Sequence, residues 1–122
     1  VGRERRAYKR FACDVEAVLE VPDREAIEAR AIDISFTGIC MMAEDHIKPG
    51  TRTTVQLRLI FERAHTDALP LPATVVWSTG VTGGHQIGAK FDADMDSVTW
   101  TRLDVLLRFL AGDVELEPST QG

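Results

Sequence analysis

Phe11-Ala12-Cys13-Asp14-Val15-Glu16-Ala17-Val18-Leu19-Glu20-Val21 is the stretch that decides the class of fold. Apolar side chains fill every second position from Phe11 to Val21, and Asp14, Glu16 and Glu20 stand between them. A period of two turns one side of an extended chain toward a core and the other toward water, which is the pattern of a half-buried strand. Pro22-Asp23 marks a turn after it. Alternation resumes at Ile27, Ala29 and Ala31, then changes phase at Ile32 and Ile34, which predicts a β-bulge or a strand leaving the sheet.

The same reading repeats along the chain. Gly38 precedes the short strand Ile39-Cys40-Met41-Met42, and Lys48-Pro49-Gly50 is the next break. Val55, Leu57 and Leu59 alternate, then Leu71, Ala73, Val75 and Trp77, then Ile87, Ala89 and Phe91 after a glycine-rich connection. Six strands joined by turns, with no helical segment between them, predict a mainly β, antiparallel barrel or sandwich and exclude a doubly wound parallel sheet. Helical spacing appears only near the end, where Trp100, Leu103, Leu107 and Leu110 recur every three or four residues. A helix over 95–111 follows, with Asp94 or Asp96 as N-cap and Gly112 as the stop. Its apolar stripe is expected to cover one opening of the barrel. The organisation read from these signals is a flexible basic arm over 1–10, one domain over 11–112, and a frayed tail over 113–122.

At 122 residues and 44% hydrophobic content, the chain is sized for one modest core. No apolar run approaches the roughly 20 residues of a membrane helix, and the basic N-terminal segment lacks the apolar core of a secretory signal. The expectation is a cytoplasmic protein without membrane insertion. Cys13 and Cys40 lie in apolar stretches without a paired spacing, so they read as small buried hydrophobes.

The net charge of −5 is unevenly spread. Residues 1–10 carry +4 through Arg3, Arg5, Arg6, Lys9 and Arg10 against Glu4, which leaves −9 on the remainder. Such a body repels long nucleic acid, yet the arm can catch a small anion. Two short patterns bear on which anion. Arg6-Ala7-Tyr8-Lys9-Arg10 places two guanidinium groups four residues apart, a span of about 13 Å in extended chain. Asp33-Ile34-Ser35-Phe36-Thr37-Gly38 supplies an acceptor, a hydroxyl and a glycine at a turn.

Guanidinium groups grip phosphate with paired charge-assisted bonds, reach the O6/N7 edge of guanine and stack on bases. A carboxylate only accepts, which suits the adjacent N1–H and N2–H₂ donors of guanine. Ser35 can add a hydroxyl, and Gly38 can adopt a left-handed conformation and admit a ligand close to the backbone.

With RxxxR directly before the first strand, DxSxxG one hairpin later, the late strand Ile87-Gly88-Ala89-Lys90-Phe91 and a C-terminal helix, the chain resembles the PilZ domains from Arg5 to about Gly112. The resemblance implies a six-stranded barrel, not an enzyme, that binds the second messenger cyclic di-GMP. Carried over by position, the binding residues are Arg6, Arg10, Asp33, Ser35 and Gly38. Arg5 is similar to the variant that stacks on a base and favours two intercalated ligand molecules. Trp77, at the end of its strand, either flanks a guanine or packs as a core or rim aromatic. Ligand binding is expected to order the arm and change the surface offered to a partner protein or a linked domain.

The alternative is a PilZ-like interaction module that does not bind the nucleotide. A small RNA-binding barrel would need aromatics on a basic strand face, and this body is acidic, in a chain with one Tyr. His46, His65 and His85 lack ligand spacing, and Gly80, Gly83 and Gly84 precede no helix, so neither a metal site nor a phosphate loop is read from them. Asp92, Asp94 and Asp96 lack the glycine and distal Glu of a calcium loop. No Ser, His and acid are grouped by motif for nucleophilic chemistry.

Overall fold

The structure, a computed structural model, describes residues 9–59 and 66–112. Its strands are β1 (Phe11–Glu20), β2 (Ile27–Ile34), β3 (Gly38–Ala43), β4 (Arg52–Arg58), β5 (Leu69–Val81) and β6 (Gly84–Phe91), and the chain then enters helix α1 (Ser97–Leu110). All pairings are antiparallel and the sheet closes on itself in the order β1-β2-β3-β6-β5-β4, with β4 returning to β1. The expected six-stranded barrel with a C-terminal helix is therefore the observed fold.

Alternation explains the packing. Val15, Ala17 and Leu19 of β1 point inward with Val55 and Leu57 of β4, and Leu71, Ala73 and Val75 of β5 face Ile87 and Ala89 of β6. These side chains fill the interior of a small barrel. The α1 stripe of Leu103, Leu106 and Leu107 is buried against the opening where β1 and β5 begin. Arg102 fixes that seat by donating to the Ala68 carbonyl at 2.9 Å.

Three register shifts break the ladders: between Ala12 and Val15 on β1, Ala31 and Asp33 on β2, and Val75 and Trp77 on β5. The second is the bulge read from the phase change at Ile32. The third was not legible from alternation. It inserts Val76 as an extra residue, reverses the facing of the strand beyond it, and turns Trp77 outward at 40% exposure. Trp77 also lies within β5 rather than at its end, because the strand continues to Val81.

Helix α1 is one to two residues shorter at its ends than the periodicity suggested. Of the two candidate caps, Asp96 is the one used: its carboxylate accepts from the Thr99 amide at 2.8 Å. Gly112, at φ +84°, comes after the last turn as the stop. Among the described residues no helix is long and apolar enough to cross a membrane.

Candidate functional site

The end of β2, the start of β3, the middle of β5 and the outer row of β6 form one groove of about 690 Å³. Arg10, Asp33, Gly38, Trp77, Gly88 and Lys90 are among its lining residues. Four of the seven residues singled out from sequence are thus in one place. Arg5 and Arg6 lie outside the described residues.

Strand register explains the convergence. Residues directly opposite on neighbouring strands point to the same face. Asp33 pairs with Cys40, Cys40 with Gly88, and Gly88 with Trp77. The low side chains of Cys40 and Gly88 therefore make a floor, while Asp33 and Trp77 rise on either side. One step along β6, Lys90 lies opposite Gly38.

Arg10 and Asp33 join the two motifs physically. The Arg10 guanidinium donates through both Nε, at 2.8 Å, and Nη2 to one carboxylate oxygen of Asp33. Their side chains remain 49% and 33% exposed, so the pair contributes at most about 1 kcal/mol to folding and is cheap to rearrange. Both groups are thereby held at the groove with their bonding capacity accessible to a ligand.

Ser35 occupies a different position from its neighbours. It is fully buried at 0% exposure, and its Oγ accepts from the Thr37 and Gly38 amides at 3.1 and 3.3 Å. The Ser35 amide in turn donates to the Gly38 carbonyl at 2.9 Å. The hydroxyl shapes the turn that carries Asp33, beneath the groove wall. Phe36, in the same turn, packs its ring 6.1 Å from that of Trp100, which ties the turn to α1.

Gly38 is not in the left-handed region expected of it. Its requirement is spatial, because a Cβ there would lie 2.5 Å from the Ala89 carbonyl oxygen. The glycine allows β3 to approach β6 closely at the mouth of the groove.

The cysteines are free thiols, Cys13 half-buried and Cys40 buried. Burial, and after it Asp33 and Asp14, pushes the Cys13 thiol up to about 11. Burial and Asp33 also raise Cys40, with Arg10 partly opposing them.

Lys90 and Gln86 were not singled out from sequence. The signal was present: if Ile87, Ala89 and Phe91 face inward, then Gln86, Gly88 and Lys90 must face outward. What sequence could not show is that this outer row passes beside Asp33 and Trp77.

A larger hollow of about 1010 Å³ lies over the outer faces of β1 to β3 and contains none of the motif residues. Its three arginines are all paired with carboxylates, Arg24 with Asp45, Arg30 with Asp14 and Arg58 with Glu16. Among the described residues no three His, Cys, Asp or Glu side chains are grouped to hold a metal ion.

The molecule is thus a closed barrel capped by a helix, with an Arg–Asp junction on its outer wall. The PilZ domain profile matches residues 4–112, and the chain belongs to that family, whose domains are non-catalytic receptor modules. A comparison with curated protein sequences returned no match.

Solved structures resemble it at low identity. The Bacillus subtilis inhibitor of motility (MotI/DgrA) aligns with a TM-score of 0.68 and 18% identity, over 90% of this chain and 53% of that one. The PilZ domain of YcgR from Escherichia coli, solved with c-di-GMP, gives 0.61 and 13% over 90% and 99%. The MrkH–c-di-GMP complex from K. pneumonia gives 0.63 and 13% over 86% and 52%. This chain thus spans about half the length of the first and third.

Proposed function

We propose that the chain is a receptor domain for cyclic di-GMP, bound in the groove between Asp33 and Trp77. The observation that carries the reading is the Arg10–Asp33 junction, which unites the RxxxR and DxSxxG patterns at one point. Support comes from family membership and from the YcgR and MrkH structures, both of which contain c-di-GMP.

In this reading Arg6 and Arg10 hold phosphates and a guanine edge, and Asp33 accepts from guanine N1–H and N2–H₂. Arg5 stacks on a base, and Trp77 offers an indole face to another. Ser35 and Gly38 shape the bend that aims Asp33. Guanine competes with Arg10 for the carboxylate, so binding rearranges the junction and draws residues 1–10 over the groove. Ordering that arm offsets part of the gain. The new surface is what a partner protein or linked domain reads, in a cytoplasmic setting.

Calorimetric titration with cyclic di-GMP, with GTP and cyclic GMP as controls, tests it. Arg6→Ala, Arg10→Ala and Asp33→Ala are each expected to weaken binding about tenfold or more. Wild-type heat equal to buffer at high micromolar ligand rejects the proposal.

A further inference from the structure

Among the described residues three charged side chains line the groove: Arg10, Asp33 and Lys90. Arg10 and Asp33 neutralise each other. Lys90 is exposed, and no salt bridge among the described residues involves it. Among the described residues, the uncompensated charge in the groove is therefore the ammonium of Lys90. We infer that Lys90 is a phosphate-binding residue of this site. The inference rests on the reading of the groove given above.

Position supports the role. Lys90 lies opposite Gly38 on β3 and Thr74 on β5, two residues along β6 from Gly88, or about 7 Å. Its stem therefore leaves the same outer face as Gly88, over which the Trp77 indole lies. Gly38, its β3 partner, places no side chain directly opposite it.

The chemistry is complementary to that of Arg10. A guanidinium binds in a fixed planar fork, and here the Asp33 carboxylate occupies part of that fork. An ammonium on a flexible stem makes no such geometric demand and can track a phosphate as the ligand settles. On a body carrying −9 outside the arm, an uncompensated cation at the groove also favours anion approach locally.

The test uses the full chain and cyclic di-GMP, with dissociation constants measured at low and high salt for wild type, Lys90→Ala, Lys90→Arg and Lys90→Glu. Lys90→Ala should raise Kd about tenfold at low salt, with the gap narrowing at high salt as screening takes over. Lys90→Arg should stay within about threefold of wild type, and Lys90→Glu should lose more than Lys90→Ala. Thermal melting of each variant checks the fold, which an exposed outer-face side chain should not disturb. Wild-type binding with a Lys90→Ala constant within about twofold at both salts overturns this inference alone. Absence of wild-type binding overturns the parent reading and this one together.

Discussion

The Trp77 indole lies against Gly88 so closely that a Cβ on Gly88 would fall 2.3 Å from its Cε2 and Nε1 atoms. The absence of a side chain at 88 gives the aromatic ring a seat on the outer wall. The ring is a surface feature, so removing it should separate binding from folding. Trp77→Ala is expected to change stability by less than about 1 kcal/mol while weakening cyclic di-GMP roughly tenfold, the scale of one lost base stack. Gly88→Ala should displace the indole, shift tryptophan fluorescence and weaken the same ligand. Unchanged affinity in both variants would remove Trp77 from the site.

Ser35→Ala acts by another route. It leaves the Thr37 and Gly38 amides without their hydroxyl acceptor in a buried turn. The expected cost is about 1 to 3 kcal/mol in denaturant unfolding, because buried donors lose their partner. Any loss of ligand affinity should then accompany a loosened turn, seen as faster amide exchange at residues 35–38.

Gly38→Ala forces a methyl toward the Ala89 carbonyl, 2.5 Å from the ideal Cβ. Both neighbours are backbone, so relief requires β3 and β6 to part. Overpacking of this kind costs about 1 to 3 kcal/mol, and the melting temperature should fall by several degrees. A melting curve superimposable on wild type would contradict the close approach.

Asp96 links stability to acid. Its carboxyl is held below the usual 3.8 by hydrogen bonds, chiefly from the Thr99 amide. Because the folded value is depressed, the cap's contribution is present above pH 3.8 and is lost as pH falls through the lower folded value. Melting temperature measured from pH 6 down to pH 3 should therefore drop more steeply for wild type than for Asp96→Asn, whose amide caps without titrating. Parallel curves would show that the cap carries no acid sensitivity.

The fold was largely legible because it arises from a period of two. Phe11 to Val21, Val55 to Leu59 and Ile87 to Phe91 each declared one buried and one exposed face, and α1 declared its stripe. The junction of the two motifs was legible as chemistry but not as contact, since Arg10 and Asp33 meet only through the pairing of β1 with β2.

Two readings failed for one physical reason: both depend on backbone irregularity or interstrand distance, which residue type does not encode. Continued alternation through Trp77 concealed the Val76 bulge. Gly38 invited a conformational explanation where the operative fact is the nearness of a neighbouring carbonyl. Lys90 was overlooked because a lone lysine facing water carries no signal until register places it beside the acid and the indole.

In the closed strand order each of the six strands has a neighbour on both sides. Where both ladders run, backbone amides and carbonyls are already engaged, whereas β5 beyond Val75 pairs with β6 alone. Over the doubly paired wall, recognition therefore falls to side chains. Such recognition can be rewritten one residue at a time while the scaffold beneath stays the same.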